Sequence, residues 1–253
     1  MARLDEIVTW LDEMLEPQAF ADYCPNGLQV PGPEEIGRVV TGVSAGMELF
    51  EQAAGSGADL VLVHHGLFWG SGPQALDRVA FRRLKLLVEN GMALAAYHLP
   101  LDAHPEIGNN ALLAEAIGAT STAPFALQEG RPIGTVARFG EAIARDELVA
   151  RTTAAVGGRE PLVFPDGPAM VERVGVVTGA GASYLLEAIA AGLDAFVTGE
   201  PAERVMNEAR EAGITFVAAG HYATETFGVR RLGELLAERF GVEHEFIDVP
   251  NPI

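Results

Sequence analysis

The 253-residue chain has one cysteine, Cys24, and one lysine, Lys85. A single thiol forms no intramolecular disulfide and builds no thiolate metal cluster. Cys24 precedes Pro25 and reads as a small loop residue or, alternatively, a reactive thiol. Any metal site must then use imidazole and carboxylate. These donors suit zinc, manganese, iron, nickel or magnesium better than copper(I) or iron–sulfur. Positive charge is scarce as well: 17 Lys and Arg face 35 Asp and Glu, a formal net charge of −18. Such a surface repels polyanions and disfavours nucleic acid as a partner, and arginines would have to supply any local phosphate contact. Long apolar runs are missing. The longest, such as Leu60 to Val63, are strand-sized, far below the roughly 20 residues of a membrane helix, so no membrane partner is expected. In MARLDEIVTWLDEML, acids interrupt the apolar stretch, which does not read as a signal peptide. A cytoplasmic protein is expected. There is no Walker lysine, no complete dinucleotide fingerprint and no serine in a nucleophile elbow.

What is present is ordinary globular composition, 49 % apolar and 21 % charged, so the chain is not disordered. Leu4, Ile7, Val8, Leu11, Met14 and Leu15 recur at helical spacing. Val39 to Val43 reads as a strand, Met47 to Ala54 as a helix, and Leu60 to Val63 as a buried strand. Leu76 to Glu89 reads as a helix and Ala93 to Tyr97 as a strand. Asn110 to Ile117 reads as a helix that Asn109 caps. Thr120 to Pro132 is loop-like and is the expected boundary between halves, 1–123 and 124–253. A strand near Ile133 to Phe139 and a helix near Asp146 to Val156 follow.

The early pattern then returns. RVVTGVSAGMELFEQAAGSGADLVLVHHG, from Arg38, and RVGVVTGAGASYLLEAIAAGLDAFVTGEP, from Arg173, both read strand, Thr-Gly turn, helix, Gly-x-Asp, strand, polar end. Six residues on from Asp59 stands His65, and six on from Asp194 stands Glu200. The following units end alike, in His98-x-x-x-Asp102 and His221-x-x-x-Glu225. An internal duplication is the simplest account. The alternation predicts an α/β fold with strands covered by helices, whose strand ends aim polar residues into a ligand crevice.

His64 and His65 close an apolar strand before Gly66, which would let the backbone turn so that both imidazoles converge. They read as metal ligands or as hydrogen-bonded strand caps. Asp102 follows HLPL in a loop stiffened by Pro100 and Pro105. His98 is a ligand or a residue that orients one. Glu225 would lie in the first turn of a helix after His221, where the dipole favours a carboxylate. Together His64, His65, Asp102, His221 and Glu225 are few donors for two ions, which leaves positions for water or substrate. Phe68 and Trp69 would stack on a ring or pack in the core or at a subunit interface. His104 and His244 fit no such pattern and read as surface residues.

YCPNGLQV, VTGVSAG, VHHGLFWG, YHLPLDAHPEIGNN, VTGEP, AAGHYATE and the tail FIDVPNPI resemble the NIF-three-like dinuclear metal centre family. The match is nearest its short bacterial form, a type 2 homologue of GTP cyclohydrolase I, and is weakest between Thr120 and Ala169. The resemblance implies two intertwined α/β repeats with mixed sheets. It also implies a toroidal homohexamer with metal pairs facing its interior, and the five ligands named above. Gly70, Tyr222 and Asn207 stand where such members can carry a lysine and two histidines. The implied activity is a metal-dependent hydrolase that opens the purine ring of a nucleotide through metal-activated water, with Glu200 or His98 moving the proton. A non-catalytic, metal-stabilised binding or scaffold ring is the alternative.

Overall fold

The computed structural model describes residues 1–70 and 75–253. In chain order its elements begin with β1 (Ala2–Arg3), α1 (Leu4–Leu15), β2 (Gly27–Val30), β3 (Glu35–Ile36), β4 (Arg38–Ser44), α2 (Met47–Ser56) and β5 (Leu60–His65). Next come α3 (Arg78–Glu89), β6 (Ala93–Ala96), α4 (Leu99–Ala103), α5 (Asn109–Ala116), β7 (Ser121–Gln128), β8 (Arg131–Ala144) and α6 (Arg145–Ala155). The rest are β9 (Leu162–Pro165), β10 (Met170–Val177), α7 (Leu185–Ala190), β11 (Ala195–Thr198), α8 (Val205–Ala212), β12 (Thr215–Ala218), α9 (His221–Thr224), α10 (Thr226–Phe240) and β13 (Glu243–Phe246). Among the described residues no helix is long and apolar enough to cross a membrane.

The chain divides into two compact units. The first is Met1–Leu101 with Gly228–Val249, and the second is Asp102–Phe227 with Pro250–Ile253. The division at 1–123 and 124–253 concerns the duplicated sequence and stays a proposal about the repeats.

In the first unit the sheet order is β13-β4-β5-β6-β2. The first four strands are parallel and β2 is antiparallel to β6. Parallel strands buried on both faces read as continuous apolar runs, and Leu60 to Val63 is fully buried. Helix α2 packs Leu49, Phe50 and Ala53, and α3 packs Leu87, in one core with Val40, Val61 and Val63. Helix α1 buries Leu4, Ile7, Leu11 and Leu15, the stripe its periodicity predicts.

The second unit carries a six-stranded sheet in the order β7-β8-β10-β11-β12-β9. Strands β10, β11 and β12 are parallel, and β7, β8 and β9 join antiparallel. Leu113 and Ala114 of α5 and Leu148 of α6 pack with Val174, Val176, Val197 and Val217. The fold is α/β, with mixed sheets covered by helices.

The duplication reaches single hydrogen bonds. In the first unit Asp59 Oδ2 accepts from the Gly37 and Arg38 amides, at 2.7 and 2.9 Å. In the second, Asp194 Oδ2 accepts from the Glu172 and Arg173 amides, at 2.9 Å each. Each aspartate of a Gly-x-Asp step thus clamps the neighbouring parallel strand near the start of its pairing.

Several local expectations are corrected. Thr120 to Pro132 is not a loop: β7 and β8 form a hairpin, and its two-residue turn has φ 47° at Glu129 and 83° at Gly130. Two positive φ values match the right-handed twist of a hairpin, and Glu-Gly is a weak form of the usual Asn-Gly signal. LPLDA is the short helix α4, whose first turn accepts Pro100 without losing a bond. Gly108, not Asn109, caps α5. His104 and His244 are half-buried rather than on the surface. His104 Nδ1 accepts from the Glu106 and Ile107 amides, at 3.2 Å each, and the His244 ring meets Thr41 Oγ1 at 2.9 Å. Burial lowers the pKa of both imidazoles.

Removing either clamp should strand two backbone donors. Asp59→Ala and Asp194→Ala are each expected to lower stability by about 1–3 kcal/mol in urea unfolding. A neutral result at one site and a large one at the other would show that the two repeats do not share the device.

Candidate metal centre

Three imidazoles converge in the first unit. His64 and His65 end β5, and His98 follows β6, the strand next to it. One ring nitrogen of each lies within 4.8 Å of the others, so the group could hold a metal ion. Ring centroids stand 4.7 Å apart for His64–His65, 5.0 Å for His64–His98 and 5.5 Å for His65–His98.

What orients these rings is the bond at the other nitrogen. His64 is fully buried, and its Nδ1 lies 3.0 Å from the Tyr97 carbonyl. A carbonyl only accepts, so Nδ1 carries the proton and Nε2 carries the lone pair. His98 Nδ1 lies 2.8 Å from Asp22 Oδ1, which fixes the same tautomer, and His65 Nδ1 meets Ser44 Oγ at 3.0 Å. Tyr97 is itself anchored, its hydroxyl donating to Asp12 Oδ1 of α1 at 2.6 Å.

Asp22 is buried within a ring of donors. Besides His98, it accepts from the Cys24 amide at 3.0 Å, Asn26 Nδ2 at 3.0 Å and the Leu99 amide at 2.9 Å. Burial alone would raise its pKa, but hydrogen bonds from His98, Asn26 and Cys24 bring it down to about 2. Burial also pushes the Cys24 thiol up to about 11, and only 1 % of the residue is exposed. The reactive-thiol reading therefore has no support from its surroundings.

Gly66 is glycine for a different reason from a turn. An added Cβ would lie 2.2 Å from Gln29 Nε2, and the Gln29 Oε1 accepts from the Leu67 amide at 2.8 Å. Phe68 packs against the core of this unit. Trp69 is 40 % exposed, with its ring 5.3 Å from that of His98 and 5.8 Å from that of His65.

The second unit assembles carboxylates. His221 opens α9, with Nδ1 on Glu200 and Nε2 3.1 Å from Glu225 Oε2. Glu225 is the C-cap of the single turn α9, directly before α10, rather than a residue in the first turn of a helix. Glu225 is 2 % exposed and Asp102 7 %. Burial by itself would lower the His221 pKa, but hydrogen bonds to Glu225 and then Glu200 raise it to about 9. Gly179 backs this turn: at φ 63°, an added Cβ would meet Glu225 Oε1 at 2.1 Å. Asp102 Oδ1 accepts from Asn109 Nδ2 at 2.8 Å and from Thr178 Oγ1 at 3.3 Å.

The donor chemistry fits a divalent ion. Imidazole nitrogens held by Nδ1 and buried carboxylates are borderline-to-hard ligands, and no thiolate competes.

The profile of the family described as Duf34/NIF3 (NGG1p interacting factor 3) matches residues 2–252. The chain belongs to the Duf34/NIF3 family. A Pseudomonas aeruginosa relative is 43 % identical, over 98 % of each chain. A Vibrio cholerae relative is 46 % identical, over 96 % of each. Both carry the name GTP cyclohydrolase 1 type 2 homolog. The solved structure of protein ybgI, of unknown function, aligns with TM-score 0.92 and 41 % identity, covering 99 % of this chain and 100 % of that one. A solved structure from Thermus thermophilus aligns with TM-score 0.90 and 39 % identity, over the same shares.

For this Duf34/NIF3 chain, the orienting residues Asp22, Ser44, Asn109 and Thr178 are ones that sequence reasoning missed. Asp22 stands just before the YCPNGLQV motif, and Asn109 reads in sequence as a cap. The partner of Asp22 lies 76 positions away and that of Asn109 seven, across the end of α4, and no helix or strand spacing reports either pair.

Two outcomes follow from this geometry. Asp22 has its pKa depressed below the ordinary 3.8, so its contribution to stability is complete above that value and disappears as pH falls through about 2. Asp22→Asn should therefore be less stable than wild type at neutral pH, with the difference shrinking between pH 4 and 2 in denaturant titrations. A gap independent of pH would contradict the assignment. Gly179→Ala should fold, but its divalent-ion affinity should fall roughly tenfold or more in chelator competition. Wild-type affinity in that variant would show that the turn has room to spare.

Proposed function

We propose that this chain is a metal-dependent hydrolase of the cytoplasm. In this reading His64, His65, Asp102, His221 and Glu225 hold two divalent ions, whether zinc, iron, manganese, nickel or magnesium. The substrate is a purine nucleotide, and the reaction is a hydrolytic ring opening of the GTP cyclohydrolase type. The observation that carries the reading is the common tautomer. The carbonyl of Tyr97 and the carboxylate of Asp22 hold the Nδ1 protons of His64 and His98, which leaves Nε2 to bind. The names of the relatives support the substrate class.

When bound, such a pair of ions supplies water activation near neutral pH and polarisation of the electrophilic carbon. The chain's own residues do the rest. Glu200 shares the Nδ1 proton of His221 and is about one-third exposed, so it can exchange that proton with solvent. His98, backed by Asp22, is the second residue for proton transfer. Trp69 presents an exposed ring for a purine to stack on, while Phe68 faces inward. The assembly in this proposal is a homohexameric ring, as the family resemblance implies.

One observation favours the scaffold alternative. His64, Asp102 and Glu225 are all at most 7 % exposed, and ions enclosed by protein groups would be structural. Metal analysis with a panel of nucleotides separates the two. Metal-dependent release of a ring-opened product, lost in His65→Ala and Glu225→Ala, supports the enzyme. Ions retained at stoichiometry without turnover of any nucleotide would favour the scaffold. Turnover equal to wild type in both variants would overturn the hydrolase reading.

A further inference from the structure

The C-terminal tail touches the turn that carries His221. Pro250–Ile253 belong to the second unit, although the residues just before them belong to the first. Asn251, Pro252 and Ile253 are exposed and have little apolar burial to hold them. Three hydrogen bonds place them. The Tyr222 amide donates to the Ile253 main-chain oxygen at 3.0 Å. Arg159 Nη2 donates to the Pro252 carbonyl. Asn251 Oδ1 accepts from the Ile253 amide at 3.0 Å and curls the tail back on itself.

Arg159 does a second thing. Its side chain lies flat on Gly220, where an added Cβ would come within 2.8 Å of Nε and 3.2 Å of Cζ. Gly220 is the residue before His221, at φ 103°. The guanidinium therefore backs the entry to α9 and clamps the tail across it.

A helix of four residues has too few internal bonds to define its own position. Its amide donors depend on outside acceptors, and for Tyr222 that acceptor is the tail. The same turn sets the 3.1 Å approach of His221 Nε2 to Glu225 Oε2. Ligand geometry tolerates displacements of only a few tenths of an ångström, so whatever holds this turn sets its affinity for an ion.

We propose that Arg159 and the segment 250–253 form a strap that positions the His221–Glu225 turn for ion capture. The proposal rests on the metal-centre reading above. Arg159 is a positioning residue and not a ligand.

The test uses the full chain, with zinc as the probe. In Arg159→Ala and Asn251→Ala, amide exchange at Tyr222 should speed up and zinc affinity in chelator competition should fall, each roughly tenfold. The thermal midpoint of the zinc-free protein should stay at the wild-type value. Arg159→Lys keeps a donor for Pro252 but loses the flat cover on Gly220, so it should recover part of both effects. Wild-type exchange and wild-type affinity in both alanine variants would overturn the strap. So would an affinity loss matched by a lower thermal midpoint, which would mean general destabilisation. If the wild-type chain takes up no zinc or other divalent ion, the metal reading fails. Tyr222 exchange then decides the strap alone, fast exchange in the alanine variants supporting it and wild-type exchange overturning it.

Discussion

An imidazole offers a lone pair in a defined direction only when its other nitrogen is held. That constraint organises the first unit. The Tyr97 carbonyl holds His64, and Tyr97 is pinned in turn by Asp12 of the N-terminal helix. Asp22 holds His98 while its own oxygens accept from Cys24 and Asn26 of its loop and from the Leu99 amide. The direction of these rings therefore depends on α1 and on the segment after it. Held in this way, the rings cost little entropy on binding an ion.

The second unit solves a different problem. Glu200, which follows β11, reaches His221 on the short turn that also brings up Glu225, and a proton on His221 balances the two carboxylates. A divalent ion taken up there would have to displace that proton, which would link uptake to pH. The surplus of acids across the chain acts in the same direction. A net charge of −18 raises the local concentration of cations and turns away polyanions.

The fold was readable because duplicated sequence leaves a repeated pattern. Leu60 to Val63 and Ala195 to Val197 are apolar throughout, as buried parallel strands are, and each follows a Gly-x-Asp step whose aspartate makes the same clamp. The β7–β8 hairpin was unreadable for a physical reason. Its turn is Glu-Gly, and Pro124 and Pro132 interrupt strands that read as loop. Tertiary pairing overrides weak local propensity there.

Sequence alone determined which donor types are available: one thiol, and histidines and acids placed at strand ends by the period of the α/β units. It also determined the duplicated spacing that singled out His65, Asp102, His221 and Glu225. Only the tertiary structure decided which nitrogen each imidazole presents. It also decided that Asn109 serves Asp102 rather than a helix cap, that Gly66 makes room for Gln29, and that the tail lies on Tyr222. The reason is range. Spacing rules act within one helix or strand, whereas the bonds that orient these side chains join distant residues, 85 positions apart between Asp12 and Tyr97.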